Sequence, residues 1–140
     1  MTEHPTSGRL IGPEHELPVR VYYEDTDFSG VVYHANYLKF FERGRSEYLR
    51  LVSNNSHREL HAREKPNAFV VSRMEIDFKR PARIDDALVV KTELVRIKGP
   101  RIIFSQRVEK DGELLASADV TVAQIDENGR PVRPELNIEN

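Results

Sequence analysis

Acidic residues and a histidine are concentrated in one short stretch of the 140-residue sequence. Glu24, Asp25 and Asp27 lie in a polar loop that ends at Gly30, and His34 follows just before a predicted helix. The first backbone N–H groups of a helix lack partners and carry partial positive charge, so they can polarise a carbonyl and stabilise an oxyanion. A carboxylate a few residues upstream can then attack that carbonyl or activate water for the attack.

The same loop partly matches a calcium-binding pattern. Asp25, Asp27, Ser29 and Gly30 occupy positions one, three, five and six of an EF-hand loop. Position twelve falls on Asn36 rather than on a bidentate glutamate, and the residues before the loop are predicted to form a strand instead of a helix. We therefore expect no metal site here.

One long helix must position the end of this stretch. Apolar residues recur at helical spacing from Tyr37 to Val52, and Asn36 is a plausible N-cap. Gly44 lies within the apolar stripe, where glycine disfavours a helix, so we expect another element to approach closely at that point.

Strands are predicted on both sides of the helix. Residues 19–23 precede the loop, residues 74–78 alternate in polarity after the helix, and further strands cover 88–94, 102–108 and 114–125. Short turns between them, including Asp111-Gly112, favour antiparallel pairing. The sequence therefore predicts an α+β fold in which one long helix is wrapped by a curved antiparallel sheet of about five strands. Such a sheet leaves an edge strand to protect, so we expect a homodimer or homotetramer.

The length of the chain favours a single domain with one core. Residues 1–17 are rich in Pro, Gly, His and Glu without periodicity, which predicts a loose N-terminal extension. We place the folded domain at residues 18–127 and a C-terminal tail at residues 128–140.

The composition excludes several classes of function. A net charge of -2 argues against a nucleic-acid partner bound through phosphate contacts. The absence of cysteine excludes disulfides, thiolate nucleophiles and cysteine-held metal clusters. Since no segment approaches the roughly 18 apolar residues of a membrane span, we expect no membrane insertion and a cytoplasmic location.

The sequence from residue 22 to residue 43 resembles the signature of a known family. The matching residues are Tyr22-Tyr23-Glu24-Asp25-Thr26-Asp27, Gly30-Val31-Val32-Tyr33-His34-Ala35-Asn36-Tyr37-Leu38 and Phe40-Phe41-Glu42-Arg43. They are similar to hotdog-fold acyl-CoA thioesterases, and most of all to the Tol-Pal-associated thioesterases of the 4-hydroxybenzoyl-CoA thioesterase superfamily. The resemblance extends from about Pro18 to Ile125. It implies a hotdog fold that hydrolyses acyl-CoA to a carboxylic acid and free CoA, without a metal or redox cofactor.

The resemblance also implies roles for residues of the loop. Asp27 would be the catalytic carboxylate, either as nucleophile through a mixed anhydride or as general base toward water. The backbone N–H of His34 would hold the thioester oxygen. The His34 side chain and Tyr23 would orient Asp27 or the thioester, although on residue type alone His34 could equally fix the loop and Tyr23 could pack in the core.

Substrate contacts follow from the same resemblance. Gly30, Val31 and Tyr33 would lie against the substrate, and the CoA phosphates would be held by the cations Arg80, Arg83, Lys98 and Arg101. The family commonly has a small residue where this sequence has Phe28. We expect this substitution to affect the accepted acyl chain rather than the type of reaction.

Two other functions remain open from the sequence. A hotdog dehydratase or hydratase would also act on acyl thioesters, but it pairs a histidine and an acid at a different spacing from that of Asp27 and His34. Alternatively, the chain is a non-catalytic module that binds acyl-CoA or an acyl carrier protein. Binding without turnover would identify that second alternative.

Overall fold

The computed structural model describes residues 6–53, 56–134 and 136. Two helices and seven strands follow the chain in the order β1 (Arg9–Ile11), β2 (Glu14–Arg20), α1 (Asn36–Val52), α2 (His57–Ala62), β3 (Ala68–Phe78), β4 (Ala87–Lys98), β5 (Arg101–Lys110), β6 (Glu113–Ile125) and β7 (Pro131–Val132). The predicted strand, helix and strand series is therefore present.

The strands form one antiparallel sheet with the order β1-β2-β4-β5-β6-β3, and β7 pairs with the end of β6. The sheet has seven strands rather than about five, because two short strands, β1 and β7, extend it. The 11-residue strand β3 lies at one edge, while the other edge is the three-residue strand β1.

Helix α1 packs against the middle of this sheet, in contact with β2, β4 and β5. The predicted apolar stripe is confirmed, since Tyr37, Phe41, Tyr48 and Val52 are all buried. Gly44 lies where the helix comes closest to the sheet. A Cβ atom at this position would be 2.7 Å from the Thr92 hydroxyl oxygen, a distance that real Cβ contacts essentially never show.

The N-terminal segment differs from the prediction of a loose extension. Residues 9–17 contribute strand β1 and most of β2, which pairs with β4 along its whole length. His15 and Leu17 are buried against the helix side, whereas Glu14 and Glu16 alternate to the other face. The glutamates suggested a solvated segment, but they form ion pairs with Lys91 of the neighbouring strand. Residues 1–5 lie outside the described part of the chain.

Two further segments show more structure than the sequence predicts. Residues 57–62 form α2, whose N-cap Ser56 accepts a hydrogen bond from the backbone N–H of Glu59 at 3.1 Å. Within the predicted C-terminal tail, Pro131–Val132 forms β7. Residues 135 and 137–140 of that tail are outside the described residues.

Candidate active site

The loop that leaves β2 is held together by the carboxylate of Asp25. Strand β2 ends at Arg20, so residues 21–23 are not the strand end that the sequence predicts, and Tyr23–Asp25 forms a single 3-10 turn. The buried Asp25 carboxylate accepts a hydrogen bond from the backbone N–H of Tyr22 at 2.8 Å and another from the Asn36 side chain at 3.1 Å. Asp25 therefore ties the loop to the start of α1, and its oxygens are not free for chemistry.

Asp27 is the exposed carboxylate of the same loop. One carboxylate oxygen, Oδ1, accepts hydrogen bonds from the Ser29 hydroxyl at 2.7 Å and from the Ser29 backbone N–H at 2.8 Å. These two bonds from Ser29 lower the pKa of Asp27 below its usual range, because they stabilise the charged form. A backbone hydrogen bond from Val31 lowers this pKa further, with a smaller effect than the bonds from Ser29. Asp27 thus presents an ionised, accessible carboxylate oxygen at neutral pH.

The segment after Asp27 is fixed to the corner between β3 and β4. Gly30 has a φ of 82°, a conformation that favours glycine, and its carbonyl accepts the N–H of Ile84 at 3.2 Å. Val31 forms an isolated β-bridge with Arg83. The backbone N–H of Val32 donates to Ala82 at 2.8 Å. This attachment holds the loop in place beside the N-terminus of α1.

His34 lies two residues before α1, with its ring exposed. The ring packs on Tyr33, with a centroid distance of 4.5 Å, and contacts Phe78 edge-on at 6.3 Å. The backbone N–H of His34 donates to no acceptor within the described residues, whereas the N–H of Asn36 already donates to the Tyr33 carbonyl at 2.8 Å. The N–H of His34 is therefore an available donor at the positive end of the helix.

An apolar groove of about 230 Å³ opens next to the His34 ring. It is lined by Val32, His34, Tyr37, Phe78, Lys79, Arg80 and Pro81. The Tyr37 hydroxyl accepts the backbone N–H of Ala82 at 2.9 Å, which fixes the wall of the groove to the same corner that holds the loop. Tyr37 and Phe78 supply apolar surface, and Lys79 and Arg80 place cations at the same groove.

The structure gathers most of the predicted site residues and separates others. Gly30, Val31, Tyr33 and His34 follow Asp27 on the loop, and Arg80 and Arg83 lie on the adjoining corner. Arg80 also forms an ion pair with Glu113 at 3.0 Å.

Lys98 and Arg101 lie elsewhere in the chain. They face each other across the β4–β5 turn, at the end of β4 opposite to the corner with Arg83. Lys98 is eleven positions along β4 from Ala87 at the corner end, which corresponds to about 35 Å of extended strand. Neither cation can therefore contact a ligand head group at Arg83 from within the same subunit.

Tyr23 is placed at the surface, with its side chain 85% exposed. Its carbonyl accepts the Thr26 hydroxyl at 2.8 Å, but its phenol forms no hydrogen bond with the described residues. The structure therefore does not bury Tyr23 in the core, and its role toward Asp27 stays a prediction.

Three contributors to the site were not identified as such from the sequence. Ser29 sets the charge state of Asp27, Asn36 fixes Asp25, and Phe78 forms the groove wall. The Asp-x-Ser spacing of Asp27 and Ser29 is a recognisable local turn signal and could have indicated the contact between Ser29 and Asp27. The contacts of Asn36 and Phe78 join distant parts of the chain and leave no local signal.

Two negative findings concern only the described residues. Within 6–53, 56–134 and 136, no group of three or more His, Cys, Asp or Glu side chains could hold a metal ion. None of the helices in that same portion is long and apolar enough to cross a membrane.

Several known proteins that are similar to this chain are named as thioesterases. Residues 29–117 match the sequence profile of the thioesterase superfamily. The chain is 50% identical over 110 residues to the acyl-CoA thioesterase YbgC of Haemophilus influenzae, with 79% of each protein covered. The crystal structure of a probable thioesterase from Bartonella henselae has a TM-score of 0.81 at 46% identity, covering 86% of this chain and 98% of that one.

A second solved structure was determined with a ligand. It is a thioesterase from Thermus thermophilus complexed with coenzyme A and Zn. Its TM-score is 0.72 at 27% identity, and the match covers 84% of this chain and 88% of that chain.

Proposed function

The chain belongs to the thioesterase superfamily, and we propose that it hydrolyses acyl-CoA thioesters with Asp27 as the reacting carboxylate. The predicted fold class agrees with this membership, since one long helix packs on an antiparallel sheet as in the thioesterase structures that it resembles. The enzyme class is that of the acyl-CoA thioester hydrolases, to which the curated relatives belong by name.

The proposal for the site rests on one carboxylate and one backbone N–H group of the same loop. The ionised carboxylate of Asp27 and the unpaired backbone N–H of His34 belong to one loop that is anchored to the start of α1. A thioester carbonyl gains little resonance from sulfur, and the CoA thiolate is a good leaving group. A carboxylate is therefore a sufficient base or nucleophile once the carbonyl is polarised by a helix N-terminus.

The reaction then proceeds by one of two balanced routes. As general base, Asp27 takes a proton from water while the water oxygen bonds to the carbonyl carbon, and the C–S bond breaks as the thiolate leaves. As nucleophile, Asp27 itself bonds to the carbonyl carbon, and the C–S bond breaks as the thiolate leaves. Water then hydrolyses the resulting anhydride, which releases the carboxylic acid and regenerates the Asp27 carboxylate. In both routes the oxyanion accepts a hydrogen bond from the N–H of His34. Single turnover in oxygen-18 water tests for the anhydride, because label enters the enzyme carboxylate only when water attacks the Asp27 carbon of an anhydride.

The groove next to His34 is the place for the acyl group, since its walls include Tyr37 and Phe78. Arg80 lines the groove together with Lys79, and Arg83 lies on the same corner, so these cations of the subunit are available for the CoA phosphates. Lys98 and Arg101 could contribute only from another subunit. The roles of Tyr23, Tyr33 and the His34 side chain in orienting the substrate belong to the same proposal, as does the cytoplasmic location.

We also propose that the protein is a homodimer joined through β3. This strand is the long edge of the sheet, and every one of its residues is at least partly exposed. Val71 and Phe78 are large apolar residues on it, and both are roughly half exposed. A long apolar edge strand invites pairing with another strand, and a second copy supplies one.

The function is tested by following thiol release from a panel of acyl-CoA substrates that varies chain length and includes aromatic acyl groups. Since the chain has no cysteine, the protein itself gives no thiol background. We expect turnover of at least one substrate class. Binding of CoA with no release of thiol from any substrate would contradict hydrolysis and identify a recognition module instead.

A further inference from the structure

A second cleft, of about 190 Å³, lies between α1, α2 and the start of β3. It shares no lining residue with the groove at His34. Its walls are partly polar and partly apolar, and they include Arg45, Ser46, Leu49, Leu60, Phe69 and Val122. Along α1, Arg45 is nine residues beyond Asn36, or about 13 Å from the helix start.

Arg45 is the unusual feature of this cleft, because it is a cation that is only 6% exposed. Its guanidinium donates one hydrogen bond, from Nη1 to the Gln106 side chain at 3.0 Å. It forms no ion pair with any residue that the structure describes. Burying a charge is costly, and burial lowers the pKa of Arg45 more than the negative charge of Glu42 raises it.

The remaining donors of Arg45 open onto the cleft. A guanidinium has five N–H donors, and only one is used here. Among the described residues, the sole fully buried side-chain nitrogen or oxygen without a partner is Nδ1 of His15. The unused nitrogens of Arg45 are therefore not sealed in the core, and the cleft is the space that Arg45 lines.

The other titratable groups that line the cleft are Glu42, His57 and His61. Glu42 also lines the cleft, accepts the Ser46 hydroxyl at 2.7 Å and acts on Arg45 through its negative charge. A ring nitrogen of His57 is hydrogen-bonded to the Ser46 carbonyl at 3.0 Å. The apolar side of the cleft is formed by Leu49, Leu60 and Phe69.

We propose that this cleft binds a small carboxylate with an apolar body, its carboxylate paired with Arg45 and its body against Leu49, Leu60 and Phe69. A planar guanidinium matches a carboxylate through two parallel hydrogen bonds. A cavity of about 150 Å³ accepts a molecule the size of benzene, so the volume suits benzoate or a short aliphatic acid. The inference is independent of the reaction assigned to Asp27.

The test is a titration of the isotopically labelled protein with benzoate, followed by NMR of the backbone amides. We expect saturable shifts at Leu60, Ala68 and Phe69, which surround the cleft. Benzamide has the same shape without the charge, and inorganic phosphate has charge without an apolar body. Both should bind at least about tenfold more weakly than benzoate. Equal binding of either one, or benzoate shifts confined to the groove at Phe78, would overturn the proposal.

Variants distinguish the loss of binding at the cleft from a general effect of substitution on the protein. Arg45→Met should abolish the shifts, whereas Arg43→Met, which removes an exposed cation from the same helix, should leave them unchanged. Arg45→Met also deprives Gln106 of a donor and could unfold the protein. Ser46→Phe fills the cleft while keeping Arg45, so it should abolish benzoate binding in a folded protein. Wild-type binding in Ser46→Phe would contradict the proposed site.

Discussion

Two carboxylates separated by one residue have different environments in this loop. The Asp25 carboxylate is buried and satisfied by Tyr22 and Asn36. The Asp27 carboxylate is exposed, and its hydrogen bonds come from Ser29. A buried, fully bonded carboxylate serves as a structural anchor, whereas an exposed and ionised carboxylate can react. This difference is the reason for assigning the chemistry to Asp27.

The hydroxyl of Ser29 provides the first testable consequence. Its hydrogen bond is the largest cause of the lowered pKa of Asp27, so Ser29→Ala should raise that pKa toward the ordinary value of about 4 for aspartate. A base must be deprotonated, so kcat/KM of the wild type should fall only below about pH 4, and the fall should begin at higher pH in the variant.

The measurement is the acid limb of the kcat/KM profile, with Ser105→Ala on β5 as the control. The two serine variants should differ only in the position of that limb. An acid limb in Ser29→Ala that coincides with the wild-type limb would show that Ser29 does not set the charge state of Asp27.

Among the helices and strands, the close approach of α1 to the sheet at Gly44 is the contact that positions the loop. A Cβ on Gly44 would lie 2.8 Å from a Val90 methyl carbon as well as 2.7 Å from the Thr92 hydroxyl. Thr92 cannot move freely, since its hydroxyl accepts a hydrogen bond from Gln106 at 2.8 Å. Glycine therefore sets the distance between the helix and the sheet, and through it the position of the loop at the helix start.

Gly44→Ala should destabilise the protein although alanine is the better helix former. Overpacking typically costs about 1 to 3 kcal/mol, which exceeds the gain of about 1 kcal/mol in helix propensity. The free energy of unfolding in urea measures the effect. Lys39→Ala, at an exposed position of α1, should stay within about 0.5 kcal/mol of wild type. A Gly44→Ala protein more stable than wild type would contradict the close approach.

The contact between β2 and α1 contains a buried histidine. His15 is fully buried, its Nε2 is bonded to the Ser7 carbonyl at 2.6 Å, and its ring meets Tyr48 edge-on. Burial lowers the pKa of His15, against the opposing effects of the Ser7 carbonyl and the nearby carboxylates of Glu47 and Glu16. The neutral ring is therefore the form that the folded protein favours.

Stability should accordingly decrease as the pH falls below about 6.5, the ordinary pKa of histidine. In that range the unfolded chain takes up a proton on His15 that the folded chain does not, and this favours unfolding. His15→Gln should reduce the decrease in unfolding free energy between pH 7.5 and pH 5.5, measured in urea. His61→Gln, at an exposed position, is the control. A decrease of the same size in His15→Gln and wild type would contradict this assignment.

At the scale of the whole molecule, the sheet has one long unprotected edge. The proposed pairing of β3 with a second copy would cover Val71 and Phe78. It would also explain why the two cations at the β4–β5 turn are remote from the loop of their own subunit.

The oligomeric state can be measured directly by light scattering during size-exclusion chromatography. We expect a mass that is a multiple of the 16.2 kDa chain, with the dimer as the smallest unit. Val71→Lys should shift the population toward the monomer, because it places a charge in the paired edge. Val95→Lys, which changes a valine on β4 that is also about half exposed, should leave the population unchanged. A monomeric wild type would contradict the proposed interface.

The sequence predicted the helix, the long strands and the loop that holds the candidate site, because these depend on local periodicity and on residue type. The close approach of another element to α1 at Gly44 could be predicted for the same reason. The strands at residues 9–17 were missed, since Glu14 and Glu16 gain their partners only when Lys91 of a distant strand is beside them. The separation of Lys98 from the loop likewise depends on strand order, which no local pattern gives.

Asp27 is the carboxylate to which hydrolysis is assigned, and Asp27→Asn removes its reactive oxygen. The amide keeps the size of the side chain but can act neither as base nor as nucleophile, so kcat/KM for the preferred acyl-CoA should fall by about 10² to 10⁴. Asp119→Asn, at an exposed position on β6, should keep wild-type activity, and both variants should unfold at the wild-type urea concentration. An Asp27→Asn enzyme that retains kcat/KM within about threefold of wild type would contradict the account.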